Sequence, residues 1–252
     1  MPRMHQLIRA NGFSKTYGGL EAVRDLTFHV GPGEILGLVG PNGAGKTTTI
    51  RALSGIISPT SGGLSIAGHD VSSEPLLAKQ ALGYVPDEPH LFDTLTVWEH
   101  LEFTAAAYRV DNYRPVAEAL LRAFELQDKR DTLAHDLSRG MRQKVVFACT
   151  FLHEPSAILF DEPLAGLDPA AIWTVKESIR ERAGRGAAII ISSHLLTLVE
   201  SLCTHLLILH RGRCQRLGPM AEVLQAFDET KSDTTLEEVF FAITHDSDDG
   251  PG

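Results

Sequence analysis

The chain has 252 residues, 43% hydrophobic and 22% charged, which excludes a disordered or collagen-like chain and suits one or two globular domains. Its formal net charge of −9 excludes a generally basic, nucleic-acid-binding surface. That acidity is concentrated: residues 228–252 carry eight acids and one lysine, net −7, which leaves residues 1–227 at −2.

In chain order, Leu7–Ala10 reads as a short strand, and Leu26–Val30 as an alternating one closed by Gly31-Pro32-Gly33. Ile35–Val39 is an apolar run bounded by glycines, as a buried strand should be. Gly40–Gly45 breaks the pattern, and Lys46–Ser54 is helical. A turn at Pro59–Gly63 precedes the strand-like Leu64–Ala67 and Gly68–Asp70, and Leu82–Val85 is a further strand. The pattern then turns helical at Val97–Tyr108, Pro115–Phe124 (with a first-turn proline) and Gly140–Leu152. Strands return at Ala157–Phe160, Ala187–Ile191 and Leu206–Leu209, separated by helical Ala170–Ala183 and Leu195–Cys203. Strands alternating with helices imply a mostly parallel α/β sheet, interrupted by the helical block. The tail holds one helical patch, Leu236–Ile243, then the polar Asp246–Gly252, expected to be disordered.

Cys149, Cys203 and Cys214 lie in or beside apolar stretches without zinc-site spacing, as reduced cytosolic thiols would. No apolar run approaches the ~18–20 residues of a membrane span, so a soluble chain is expected, with any membrane role supplied by a partner.

Gly40-Pro41-Asn42-Gly43-Ala44-Gly45-Lys46-Thr47 fits G-x-x-x-x-G-K-[ST] between a strand and a helix. Glycines let backbone N–H groups turn around phosphate oxygens, and the helix start adds partial positive charge. Lys46 would reach the terminal phosphates and Thr47 would ligate Mg²⁺. The buried strand Ala157–Phe160 ends in Asp161 and Glu162. Asp161 would hold Mg²⁺, directly or through water, and Glu162 would polarise the attacking water.

With Leu137-Ser138-Arg139-Gly140-Met141-Arg142-Gln143 between these motifs, the chain resembles the nucleotide-binding subunit of an ATP-binding cassette (ABC) transporter of the export-type branch, over residues 6 to about 217 and again in the tail. The resemblance implies a P-loop NTPase with a RecA-like, mostly parallel core sheet, an antiparallel β portion near the N-terminus and an inserted helical subdomain. The ATPase domain would span 1–227, with core segments 1–87 and 155–227 and helices at about 88–154. An acidic tail, 228–252, would follow. ATP would be contacted by Tyr17 on adenine, by Val23 beside it unless that residue is a plain core valine, and by Asn42, Gly43, Ala44, Gly45, Lys46, Thr47 and Thr48. Ser138 and Gly140 would reach the ATP of the opposite subunit. Asp168, in Ala165–Pro169, would communicate across the dimer, and His194, after Ser192-Ser193, would act as the switch histidine beside the γ-phosphate.

Three positions depart from the family pattern. Asp87 stands where a Mg²⁺-touching glutamine is usual, Arg139 replaces the first glycine of the signature, and Met141 replaces its usual glutamine. Asp87 is expected to keep the coupling role with altered metal affinity.

The implied activity is ATP hydrolysis by a dimer closed around two ATP-Mg²⁺, driving a separate multi-span permease, read as an exporter from the Thr235–Phe241 tail resemblance. Peripheral placement on the inner membrane face and no nucleic-acid partner follow from the same resemblance. A soluble relative that remodels ribosomes or DNA is the alternative. It fits less well, because there is one P-loop and no heptad-bearing insertion in the 92 residues from Lys46 to Ser138.

Overall fold

The computed structural model describes residues 6–225 and 235–245; the Asp246–Gly252 expectation lies outside them. Two sheets and a helical block form the molecule. The first sheet is antiparallel, in the order β2-β1-β4-β5, from β1 (Ile8–Tyr17), β2 (Leu20–Val30), β4 (Ser61–Ile66) and β5 (His69–Asp70). The second runs β10-β9-β3-β8-β7-β6, from β3 (Ile35–Val39), β6 (Leu82–Val85), β7 (Ala157–Asp161), β8 (Ala188–Ser192), β9 (His205–His210) and β10 (Arg213–Pro219). Its strands pair in parallel except β10, which returns antiparallel on β9.

The apolar runs of the parallel sheet explain its central position. Strands β3, β7 and β8 are buried at every residue. Their period-2 geometry divides the side chains between two cores. Ile35, Val39, Ile158, Phe160, Ile189 and Ile191 face one core, which the helical block covers. Leu36, Leu38, Ala157, Leu159, Ala188 and Ile190 face the other, which is closed by the antiparallel sheet and α1 (Lys46–Leu53).

The block between β6 and β7 holds α3 (Val97–Tyr108), α4 (Arg114–Ala123) and α5 (Arg139–Leu152). A reciprocal capping box starts α3: Glu99 N–H donates to Thr96 Oγ1 at 3.2 Å and Thr96 N–H to Glu99 Oε2 at 2.7 Å. Pro115 sits in the first turn of α4, where its missing N–H costs no helix bond. Rings of Phe124, Phe147, Phe151 and Phe160 stack or tilt on one another at 5.9–6.3 Å, tying α4 and α5 to β7.

After β7, Asp168 caps α6 (Pro169–Gly184) through Ala171 N–H at 2.8 Å. Then come α7 (Leu196–Leu202), α8 (Met220–Gln225) and α9 (Leu236–His245). Among the described residues no helix is long and apolar enough to cross a membrane.

Three differences from the sequence reading have local causes. The first hairpin is longer than expected, because β1 continues through irregular pairings around Phe13 and Lys15 that spoil the alternation. Strand β10 has no apolar alternation, being mostly exposed, and is held by the backbone of β9. The short helices α2 (Pro75–Gln80) and α8 were not expected. The helical patch expected from Leu236 is α9, which buries Leu236 and Val239 completely in the first core, so its amphipathic face docks on its own chain.

Candidate nucleotide site

The carboxyl ends of β3, β6, β7 and β8 lie on one side of the parallel sheet, and the loops leaving them meet there. A cleft of about 860 Å³ opens at this edge. Its walls include Tyr17, Asn42, Gly43, Ala44, Gly45, Lys46, Thr47, Thr48, Asp87, Glu162 and His194, so residues far apart in sequence converge as expected.

The loop after β3 is shaped by close approach. A Cβ on Gly40 would fall 2.3 Å from the Leu209 carbonyl oxygen, and one on Gly45 would fall 2.7 Å from that of Ala22. Gly45 also holds φ at 105°, a left-handed conformation that side chains disfavour. It caps α1 without a side chain, leaving the first helical N–H groups directed at the cleft. Lys46 is buried, and its Nζ donates to the carbonyls of Gly40 at 2.6 Å and Pro41 at 3.2 Å. Burial pushes its pKa down, while the charges of Glu162 and Asp161 pull it back up.

At the end of β7, Asp161 is buried, and burial is the main force raising its carboxyl above the usual range. The charges of Glu162 and Asp87 reinforce that shift. Among the described residues, neither Asp161 Oδ1 nor Ser192 Oγ has a hydrogen-bond partner, although both are buried. Glu162 follows in a strained left-handed backbone, φ 48°, held by its N–H to Ser192 O at 2.9 Å. Its Oε2 lies 2.8 Å from His194 Nδ1 and accepts from Ser193 Oγ and His194 N–H, both at 3.3 Å. A carboxylate accepts only, so the proton between this pair rests on Nδ1 and leaves Nε2 to face a reactant.

Of the expected contacts, Val23 takes a core position instead: it is fully buried in the second core, with Cγ2 behind Gly45, and does not line the cleft. Ser138 and Gly140, expected to act on the ATP of the opposite subunit, lie outside this cleft; Ser138 is exposed and caps α5 through Met141 N–H at 3.3 Å. Asp87 lines the cleft but pairs at 3.4 Å with Arg139, so two of the departures from the family pattern touch each other.

The sequence reading missed Leu20, Glu21, Ala22, Ala165 and Arg211, which also line the cleft. Only the glycine after Arg211 hinted at a turn there, and nothing local showed where the turn would land.

The family described as ABC transporter matches residues 23–165. The ABC-type transporter ATP-binding protein EcsA of Bacillus subtilis (strain 168) is 34% identical over 224 residues, 88% of this chain and 90% of its own length. The lipopolysaccharide export system ATP-binding protein LptB of Acidithiobacillus ferridurans is 33% identical over 228 residues, 88% of this chain and 93% of its own. A solved structure of an ATP-binding subunit of an ABC transporter superposes with a TM-score of 0.90 at 35% identity, covering 94% of this chain and 99% of that one. The phosphate loop and the paired carboxylates thus sit within a family match and a fold match that agree, and the chain belongs to the ABC transporter family as an ATP-binding subunit that hydrolyses ATP to drive transport.

Proposed function

We propose that two such subunits, identical or paired with a relative, close around two ATP-Mg²⁺ and drive export through a separate multi-span permease, from the inner face of the membrane. The observation that carries this reading is the Glu162–His194 pair, held at 2.8 Å in the same cleft as Lys46 and the open start of α1. Glu162 would take the proton of the attacking water, with His194 keeping the carboxylate oriented. Lys46 and the N–H groups of α1 would balance charge on the transferring phosphoryl group. Hydrolysis of this kind depends on positioning and charge more than on covalent chemistry.

Mg²⁺ fits the donors present. Burial raises the Asp161 carboxyl, and the charges of Glu162 and Asp87 add to it, so a cation beside Asp161 would relieve a strained charge. The unpartnered Asp161 Oδ1 is an oxygen suited to a hard cation or its water. Among the described residues no three His, Cys, Asp or Glu side chains assemble to hold a metal. The ion would be held by Thr47 and Asp161, and by Asp87 to the extent that its pair with Arg139 leaves it free, together with nucleotide phosphate oxygens.

The exposed Ser138 at the start of α5 supports the pairing. It offers a hydroxyl and a helix start outside its own cleft, which would cover the ATP of the opposing subunit. A groove of about 420 Å³ between the helical block and the sheet supports the permease contact. Tyr84, Leu91 and Phe92 line it, and it adjoins Pro86 beside Asp87. Exposed Phe92 and Phe103 give it an apolar lip. Export follows the name of the lipopolysaccharide-export relative.

Glu162→Gln tests the reading. It should keep ATP affinity within about threefold, lower turnover by about 10²–10⁴-fold and accumulate an ATP-bound dimer on size exclusion. Wild-type turnover in that variant would refute Glu162 as the base.

A further inference from the structure

Arg211 lines the nucleotide cleft although no motif includes it. It occupies the turn between β9 and β10, with φ at 49°, and Gly212 follows at φ 75°. Gly212 N–H donates to Ala44 O at 3.1 Å, and Arg24 N–H donates to Gly212 O at 2.8 Å. A Cβ on Gly212 would fall 2.8 Å from the Ala22 carbonyl oxygen. The turn is therefore clamped between β2 and the phosphate loop, and it presents Arg211 to the cleft from a fixed backbone.

Its place along the cleft is specific. Tyr17 and Leu20 pair at the tip of the first hairpin, and Leu20 is two residues before Ala22 on the same strand. Gly45 packs against Ala22 and is followed directly by Lys46. Ala22 and Ala44-Gly45, against which the Arg211 turn is clamped, lie between hairpin tip and lysine. Charge adds a second argument. Among the described residues lining the cleft, Lys46 and Arg211 are the lysine and arginine side chains, whereas Glu21, Asp87 and Glu162 are acids. A polyanionic ligand in that space meets the guanidinium of Arg211 as well as Lys46.

We infer that Arg211 is a nucleotide-binding residue whose guanidinium holds the α-phosphate, while Lys46 serves the terminal phosphates. Guanidinium geometry suits phosphate oxygens, which it can engage with two N–H groups at once. The inference rests on the nucleotide reading of this cleft and adds a residue to it. It also divides the labour: the Arg211 contact is common to mono-, di- and triphosphates, whereas the Lys46 contact favours the longer chains.

The test is the affinity of wild type, Arg211→Ala and Arg211→Lys for ATP, ADP, AMP and adenosine, read by displacement of a fluorescent adenine nucleotide. Thermal midpoints check that the variants remain folded; Arg211 is exposed, so no core packing is lost. Arg211→Ala should weaken ATP, ADP and AMP alike, by about 5–20-fold, and leave adenosine within twofold. Arg211→Lys should recover part of the loss. Weakening of ATP alone would move the contact to the γ-phosphate and overturn the assignment, as would unchanged affinities or an equal loss for adenosine. Wild type binding none of the four ligands would sink the nucleotide reading itself, a result distinct from a silent Arg211 variant.

Discussion

Asp161→Asn should stabilise the protein without ligand and abolish its response to Mg²⁺-ATP. Asp161 is buried, its Oδ1 lacks a hydrogen-bond partner among the described residues, and Glu162 and Asp87 add like charge nearby. A buried polar atom left unsatisfied costs about 1–3 kcal/mol. The neutral amide removes the charge and can donate to Ser192 Oγ, so a gain of about 1–2 kcal/mol is expected. In a protein of this size that raises Tm by about 2–8 °C.

The pH dependence has a definite sign. The folded carboxyl titrates above its ordinary 3.8, so ionisation is less favourable folded than unfolded. Wild type therefore loses stability as pH rises from 3.8 through the elevated folded value, and the advantage of the Asn variant grows over that same interval. Ligand reverses the ranking. Mg²⁺-ATP at a hundred times Kd should stabilise wild type by about 2.7 kcal/mol, and the variant by no more than metal-free ATP does. Differential scanning calorimetry at several pH values, with and without ligand, measures all of this. A variant that melts lower than wild type without ligand, or still gains from Mg²⁺, would refute the reasoning.

Arg139→Gln should release Asp87 toward the cleft. The 3.4 Å pair is solvent-exposed, and such pairs contribute about 0–1 kcal/mol. The half-saturating Mn²⁺ concentration, read by electron paramagnetic resonance with ATP present, should therefore fall by about two- to fivefold; no change would show that Asp87 stands apart from the metal. Val23→Ala should lose about 2 kcal/mol of stability, because two buried methyl groups are removed from the second core. ATP affinity should stay within twofold, and a tenfold loss would return Val23 to the adenine pocket.

Much of this molecule can be read locally. Gly40–Thr47 states its own conformation, because only glycines accept the close approaches and the left-handed φ that the loop requires. The runs Ile35–Val39 and Ala157–Phe160 announce strands buried on both faces, so the carboxylates at the end of the latter had to emerge at the sheet edge where the loop also emerges. Those features depend on neighbours within a few residues, and composition records them.

Tertiary structure alone decided the rest. Val23 alternates as a β-residue on either reading, and only the approach of Gly45 shows that it faces the core. Strand β10 exists because the edge of β9 offers unpaired backbone groups, which no side-chain pattern encodes. Arg139 meets Asp87 across 52 residues of sequence, and Arg211 reaches the cleft through a turn clamped against Ala22 and Ala44. The sequence by itself thus determined the phosphate loop, the paired carboxylates at the sheet edge and the layering. Which charges share the cleft was decided by long-range strand pairing and packing, because a side chain's partners across the fold leave no periodic mark in the chain around it.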